Sequence, residues 1–235
     1  MCGRYSNHVR AMHDWAVLLG DWPQDVPLSH NVAPTQTIPV FTAAGGQGMR
    51  WGLIPPWSAE VSSKYATFNA RGESVADKPS FKHAWFKDQR CLIPALGYYE
   101  WRTESGAKQP YFVHLQDSPM VFAGLFEPAR SESIPASCTV LTMPSRGILE
   151  PLHSRMPVIL PLDRARDWFA GSPAQADGIL HQDHGLALQF YPVSKRVNNV
   201  RNDDEELIQP IAHGVGMLDS SALTRTDDDD HSSPN

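Results

Sequence analysis

Proline and glycine punctuation sets the strongest limit on how this chain can fold. Twenty prolines and sixteen glycines are spread over 235 residues, and they interrupt most apolar runs before these reach the length of a long helix. Proline is excluded from helix interiors and central strands, and glycine marks turns and close backbone approaches. The pattern therefore predicts many turns and short strands, and it argues against a helical bundle.

The apolar runs between these breaks have the composition of strands. Short apolar segments lie at 90–95, 120–126 and 136–143, the last of them rich in β-branched residues, whereas helical spacing is confined to short stretches such as 12–19 and 80–88. Roughly eight strands and four or five short helices, with no repeated β-α-β order, predict the α+β class. We expect a single mixed, mainly antiparallel β domain, barrel-like, with short peripheral helices.

We place this domain at residues 1–215 and an acidic tail at residues 216–235. The tail is poor in apolar residues, so we expect it to be disordered. From Asp219 onward it carries five Asp and one Arg, a net charge of −4, which leaves about −2 of the total charge of −6 on the preceding chain. Because bulk charge then favours no class of partner, a site for anions must be a local cluster of cations.

Cysteine usage and hydropathy indicate the compartment. The three cysteines, Cys2, Cys91 and Cys138, are an odd number without a CxxC pair, which argues against a disulfide framework and against a cysteine-based zinc site. We expect no metal and no cofactor. No stretch resembles a signal peptide or a membrane span, so we expect a cytoplasmic protein without a membrane partner. The absence of an apolar heptad favours a monomer.

The chain begins Met1-Cys2-Gly3-Arg4-Tyr5. Removal of Met1 would place a free α-amine and a thiol on one residue, Cys2. Such a 1,2-aminothiol attacks an aldehyde through its amine to give an imine, and the thiol then closes a five-membered ring. The same thiol could attack an amide, as in N-terminal-nucleophile hydrolases. An ordinary buried cysteine that packs as a small apolar side chain is the structural alternative.

Four polar patches interrupt otherwise apolar segments. Together they supply a nucleophile, an amide, a carboxylate, an imidazole and several guanidinium groups. The patches are Cys2 with Arg4, Asn69 with Arg71 and Glu73, Glu100 with Trp101, and His153 with Arg155.

Each patch also has an ordinary structural interpretation. Asn69 would cap the helix that follows it. Glu100 would pair with Arg102 on a strand face. His153 would satisfy carbonyl groups at a helix C-terminus.

Trp57 follows Pro55 and Pro56 in a long loop. An aromatic side chain at a loop tip can stack on an unpaired base, and the alternative is that it folds back onto the protein body. Arg71 and Arg155 would likewise be either anion ligands or plain surface charges.

Eight motifs occur in order along the chain, and in them it resembles the SRAP family of SOS-response-associated peptidases and abasic-site processing proteins. The motifs are MCGRY at 1–5, NVAP at 31–34, WGLIP at 51–55, FNARGE at 68–73, GYYEW at 97–101, FAGL at 122–125, HSRMP at 153–157, and PVS at 192–194 with VN at 197–198. Ser154 and the longer acidic tail are conservative departures from the family pattern.

The resemblance implies a protein of the DNA damage response that recognises abasic sites in single-stranded DNA. It implies a covalent thiazolidine between the N-terminal Cys and the ring-opened sugar, peptidase-type maturation that exposes this Cys, and an associated lyase activity. By position, Cys2 would be the nucleophile and Asn69 would hold the sugar or the linkage. Glu100 would be the general acid and base, and His153 would assist proton transfer, including reversal of the linkage.

The resemblance also implies DNA contacts around these four residues. Phosphate contacts would come from Arg4, Arg71 and Arg155, whereas Pro34, Trp57 and Trp101 would pack or stack against flanking DNA. The cytoplasmic protein would associate with the nucleoid where damage occurs.

Elementary chemistry agrees with this assignment. An α-amine has a pKa of about 7.7–8.0, so a useful fraction is neutral near pH 7, and we expect nearby arginines to lower the pKa of both the amine and the thiol. Two other functions remain open. One is an N-terminal-nucleophile cysteine peptidase or amidase that uses the same residues, and the other is a non-catalytic module that binds single-stranded DNA.

Overall fold

The structure, a computed structural model, describes residues 2–12, 15–62, 66–116 and 118–211. Within these residues the chain forms thirteen strands, four α-helices and five short 3₁₀ helices. The strands are β1 (Tyr5–Asn7), β2 (Ser29–Val32), β3 (Thr37–Thr42), β4 (Gly45–Trp51), β5 (Asn69–Arg71), β6 (Arg90–Ala95), β7 (Gly97–Glu104), β8 (Ala107–Leu115), β9 (Met120–Glu127), β10 (Ser137–Pro144), β11 (Arg155–Pro157), β12 (Ile159–Leu160) and β13 (Leu188–Pro192).

The helices are short and lie between the strands along the chain. The α-helices are α1 (Ala16–Leu19), α2 (Lys82–Phe86), α3 (Leu162–Ala170) and α4 (Pro173–His181), and the 3₁₀ helices are Val9–Met12, Gly72–Ser74, Gly147–Leu149, Lys195–Asn198 and Glu205–Ile208. None of the helices in the described part of the chain is long and apolar enough to cross a membrane.

The first sheet has five strands in the order β13-β8-β7-β1-β2, and all its pairings are antiparallel. The short strand β1 lies inside this sheet, where Tyr5 pairs with Tyr98 on one side and with Val32 on the other. Gly97 opens β7 where the backbone passes very close to its neighbour, because a Cβ atom there would lie 2.5 Å from the Val113 carbonyl oxygen. Because Gly97 has no side chain, β8 can lie this close to the start of β7.

The second sheet has eight strands and closes on itself. Strands β10, β4, β3, β6 and β9 are neighbours in that order, and β9 pairs again with β10, so that five strands form a ring. Strand β10 also carries β11 as an antiparallel partner and β5 as a parallel one. Closure removes free edges from these five strands, and it brings β5 and β11 to the same strand of the ring.

Aromatic side chains join the two sheets. The Tyr5 ring lies edge-on to Trp51 at 5.3 Å and to Phe122 at 5.8 Å between ring centroids, and all three side chains are fully buried. Edge-to-face aromatic pairs of this kind add about 0.5–1.5 kcal/mol beyond area burial. Since Trp51 and Phe122 belong to the ring, this contact fixes the start of the chain against it.

The α+β class, the mainly antiparallel sheets and the barrel-like closure confirm the sequence prediction. The structure adds two parallel pairings, of β10 with β4 and with β5. The helix predicted over 12–19 is confined to Ala16–Leu19, with residues 13 and 14 outside the described part. The predicted tail at 216–235 also lies outside the described residues.

A buried cation fastens α3 to the ring. The Arg90 side chain is fully buried, and its guanidinium donates hydrogen bonds to the carbonyl oxygens of Trp168 and Gly171 and to the Asp88 carboxylate. Its central carbon lies 5.8 Å from the Trp168 ring centroid. These carbonyl groups end α3, where a cation also complements the helix dipole.

We expect Arg90→Met to lower the free energy of unfolding by about 2–4 kcal/mol, because each buried carbonyl left without a donor costs about 1–3 kcal/mol. Urea titration followed by circular dichroism measures the change. Arg164→Met is the matched control, since Arg164 makes an exposed pair with Asp167 at 3.3 Å and its loss should cost less than about 0.5 kcal/mol. Equal effects of the two substitutions would contradict the role of Arg90.

Candidate active site

Cys2 lies at the junction of the two sheets, three residues before the Tyr5 anchor. Its side chain is fully buried. Strand β1 leads directly out of it and is held between β7 and β2. Cys2 is therefore held at a fixed interior position.

Asn69 approaches Cys2 from the ring side. It begins β5, pairs with Val140 of β10, and donates a hydrogen bond from Nδ2 to the Cys2 carbonyl oxygen at 2.6 Å. Its Oδ1 atom is buried and accepts no hydrogen bond from the described residues. The bond to Cys2 fixes the orientation of the amide, so Oδ1 is an acceptor available to a bound molecule. Asn69 caps no helix, because the N-cap of the following 3₁₀ helix is Arg71.

Glu100 approaches from the sheet side. It lies on β7, is 5% exposed, and its Oε1 accepts a hydrogen bond from the Trp101 backbone N–H at 3.3 Å. Arg102 is bound to Glu104 instead of Glu100. The pairing with Arg102, which was the structural alternative for Glu100, therefore does not occur.

His153 faces Glu100 across the site. Its Nδ1 atom lies 3.8 Å from Glu100 Oε2 and accepts a hydrogen bond from the Arg155 backbone N–H at 3.0 Å. This hydrogen bond requires the tautomer that carries its proton on Nε2. In the other tautomer, Nδ1 can donate to the Arg155 carbonyl oxygen, which lies 3.1 Å away. The turn at 153–155 can therefore bind either tautomer of the imidazole.

The thiol of Cys2 does not have the lowered pKa that we expected from the sequence. Burial raises the pKa of the Cys2 thiol well above its ordinary range, and the negative charge of Glu100 raises it further. The backbone N–H of Arg4 only partly offsets these effects. The Arg4 guanidinium points elsewhere, so the prediction that arginine would activate the thiol was wrong for this residue.

Arg4 and Trp101 form one wall beside the site. Arg4 Nη1 donates hydrogen bonds to Asn31 Oδ1 at 2.8 Å and to the Val197 carbonyl oxygen at 2.7 Å. Its guanidinium carbon lies 6.0 Å from the centre of the Trp101 ring, and Trp101 Nε1 donates to Asn198 Oδ1 at 2.8 Å. A cation and an aromatic face are therefore held together next to Cys2.

The other two predicted arginines differ in environment. Arg155 is bound on both terminal nitrogens by the Glu73 carboxylate, and its Nη2 also donates to the Thr142 carbonyl oxygen at 2.8 Å. Its side chain is 11% exposed. Arg71, at the end of β5, is exposed. Arg71 is therefore accessible to an anion in solution, whereas the Arg155 guanidinium is mostly buried and already bound to a carboxylate.

Pro34 and Trp57 lie on loops that follow β2 and β4. Pro34 is half-buried. Trp57 is 57% exposed, so a large part of its side chain is accessible to solvent.

Sequence reasoning missed Asn31 and Asn198 as parts of the site wall. Their signal was present, since both lie in motifs that carry the family resemblance, but only the fold brings residues so distant in sequence together. No cluster of three or more potential metal ligands occurs among the described residues.

The fold and this geometry define a class: a mixed α+β domain that closes a β ring over a cysteine at position 2, surrounded by an amide, a carboxylate and an imidazole. A family model described as SOS response associated peptidase (SRAP) matches residues 1–200. The chain belongs to this family.

Named relatives agree over most of the chain. The abasic site processing protein YoaM of Bacillus subtilis is 33% identical, with 91% of this chain and 100% of the relative covered. The abasic site processing protein HMCES of Gallus gallus is 34% identical, with 71% and 58% covered. A solved structure of a Bacteroides thetaiotaomicron protein matches with a TM-score of 0.76 at 24% identity, over 89% of this chain and 100% of that one, which bears on the fold alone.

We expect Glu100→Gln to speed alkylation of Cys2 by a small thiol reagent. A carboxylate disfavours a neighbouring thiolate, so its removal lowers the pKa of the thiol, and a fall of one unit multiplies the thiolate fraction about tenfold. Peptide mass mapping at fixed pH measures the rate. Glu104→Gln, on the same strand but bound to Arg102, should leave it unchanged. If neither variant changes the rate, the carboxylate does not act on the thiol.

Proposed function

We propose that this protein processes abasic sites in single-stranded DNA by forming a thiazolidine crosslink through Cys2 after removal of Met1. The observation that carries the proposal is the arrangement around Cys2. Asn69 binds its carbonyl at 2.6 Å, while Glu100 and His153 face one another at 3.8 Å. The names of the relatives, abasic site processing proteins, support the same substrate.

The reaction needs only groups that this chain supplies. The Cys2 amine adds to the aldehyde carbon of the ring-opened sugar, and loss of water gives an imine. Glu100 or His153 delivers the proton that the departing hydroxyl requires. The Cys2 sulfur then bonds to the imine carbon and its proton passes to the imine nitrogen, which closes the ring. A mostly protonated thiol suits this last step because it brings the proton with it.

The surrounding residues would bind the strand. Asn69 Oδ1 is a buried acceptor that a sugar hydroxyl would satisfy. Contacts to phosphates would come from Arg4, Arg71 and Arg155, and contacts to flanking sugars and bases from Pro34, Trp57 and Trp101. A few local cations suit a short stretch of phosphates in a chain whose net charge is −6.

Single-stranded DNA is the favoured partner because an abasic nucleotide there is already unstacked. Bringing it into a buried site therefore costs little compared with extrusion from a duplex. We propose that the protein acts as a monomer in the cytoplasm, on damaged nucleoid DNA, as part of the SOS response.

Lyase activity follows from the same imine. Before ring closure, the imine acidifies the neighbouring sugar proton. A base such as Glu100 can then remove that proton, and β-elimination breaks the bond between the sugar carbon and the 3′ oxygen, so that the downstream strand leaves as a phosphate monoester. The crosslink and strand cleavage thus compete for one intermediate.

A peptidase function is the second candidate, and the family description supports it. Cys2 with Glu100 and His153 also suits thiol attack on an amide, at least for exposure of Cys2 itself. Cleavage of unrelated peptides by the purified protein, lost in Cys2→Ala, would favour this function over DNA processing.

We expect the mature protein to give a shifted band on a denaturing gel with single-stranded DNA that carries one abasic site. Cys2→Ala should abolish the stable product, because neither thiol nor ring closure remains. Intact-mass measurement should show loss of Met1 in the reactive protein. An intact strand of the same sequence without the lesion is the control, and absence of a band with the mature protein would overturn the proposal.

Glu100→Gln should slow crosslink formation about 10²- to 10⁴-fold, the usual contribution of general acid-base catalysis, and should leave DNA affinity nearly unchanged. Single-turnover rates and binding to a non-reactive tetrahydrofuran analogue separate the two quantities. Glu104→Gln serves as the control on the same strand. Parallel losses of rate and affinity would show that Glu100 acts in folding or binding instead.

A further inference from the structure

Asn31 connects the two ends of the folded domain. It lies on β2, is 1% exposed, and uses both ends of its amide. Its Oδ1 accepts a hydrogen bond from Arg4 at 2.8 Å. Its Nδ2 donates to the carbonyl oxygens of Asn202 at 2.7 Å and Asn199 at 3.0 Å, with that of Val197 at 3.4 Å. One side chain thus holds an arginine and a distant segment at once.

The segment at residues 195–202 closes the same wall. The Val197 carbonyl oxygen binds Arg4 at 2.7 Å, and Asn198 Oδ1 binds Trp101 Nε1 at 2.8 Å. Arg4 and Trp101, whose guanidinium carbon and ring centre are 6.0 Å apart, are therefore both attached to one segment. That segment is in turn attached to Asn31.

We propose that Asn31 is a positioning residue that holds the Arg4 guanidinium beside the Trp101 ring, where it can receive a phosphate of the bound strand. This inference rests on the proposed function. An arginine already fixed in one rotamer loses little freedom when it binds a phosphate, so preorganisation strengthens the contact. Asn31 is 1% exposed and acts on the strand only through Arg4.

The chemistry of the position requires an amide. An aspartate would keep the acceptor for Arg4 but would lose both donors and turn a negative charge toward three carbonyl oxygens. An alanine would keep neither contact. A comparison of Asn31→Asp with Asn31→Ala therefore separates the hydrogen bond to Arg4 from the hydrogen bonds to residues 195–202.

The first test needs no DNA. In NMR spectra of the folded protein, a fixed guanidinium gives resolved Nη–Hη signals, and Arg4→Lys identifies those of Arg4. We expect these signals in the wild type and in Asn31→Asp, and we expect Asn31→Ala to lose them. Amide hydrogen exchange across 195–202 should be faster in both Asn31 variants. Unchanged Arg4 signals in Asn31→Ala would overturn the proposal.

The second test measures the phosphate contact itself. Binding to single-stranded DNA with a tetrahydrofuran abasic analogue is titrated over a range of salt concentrations for the wild type, Asn31→Ala, Arg4→Gln and the double variant. One lost phosphate contact lowers the slope of log K against log salt by about 0.7 in magnitude. We expect this decrease in each single variant and no further decrease in the double variant.

The exposed Asn199 supplies the matched control. Its side-chain oxygen accepts a hydrogen bond from the Arg201 backbone N–H at 3.1 Å and from no other group in the described part of the chain, so Asn199→Ala should keep the wild-type slope. A destabilised Asn31→Ala protein with a full wild-type slope would show a purely structural role and overturn the inference. If the wild type forms no crosslink, the proposed function fails, and the Arg4 signals still decide whether Asn31 positions that residue.

Discussion

The packing of Tyr5 against Trp51 and Phe122 is the interaction on which the rest of this structure depends. It packs the first strand of the chain, which lies inside the five-stranded sheet, against the closed ring, with ring centroids 5.3 and 5.8 Å apart. A residue near a chain end is ordinarily frayed. Here the aromatic contact and the pairing of β1 with β7 and β2 hold this segment in place. Cys2 therefore has a fixed position within the candidate site.

The site exists because different parts of the fold meet at that fixed end. Strand β7 brings Glu100, β5 brings Asn69, and the turn before β11 brings His153. The two latter elements pair with the same ring strand, β10. Their spacing is thus set by a rigid ladder of backbone hydrogen bonds, as catalytic geometry requires. Burial has a chemical consequence as well, because it holds the Cys2 thiol in its neutral form.

The sequence predicted the fold class, since proline breaks and apolar runs are local signals, and its ordered motifs singled out Cys2, Asn69, Glu100 and His153, whose roles stay predictions. It did not predict β1, β2, β5 or β11, which have only three or four residues and become strands through their partners. It assigned a lowered pKa to the Cys2 thiol from the nearby Arg4, but the direction of a side chain is a tertiary property. The hydrogen bonds from Asn31 to residues 197–202 could not be predicted either, because they join segments that are far apart in sequence. The sequence also left open whether Glu100 pairs with Arg102. In the structure, Arg102 donates a hydrogen bond to Glu104.

The central position of β1 has a consequence for the order of events during synthesis. Tyr5 leaves the ribosome first, yet its partner Tyr98 follows more than ninety residues later. Until β7 has been made, the pairing that encloses Cys2 cannot form, whereas in the folded chain the Cys2 side chain is fully buried. Enclosure of Cys2 therefore depends on a strand that is synthesised long after Cys2 itself.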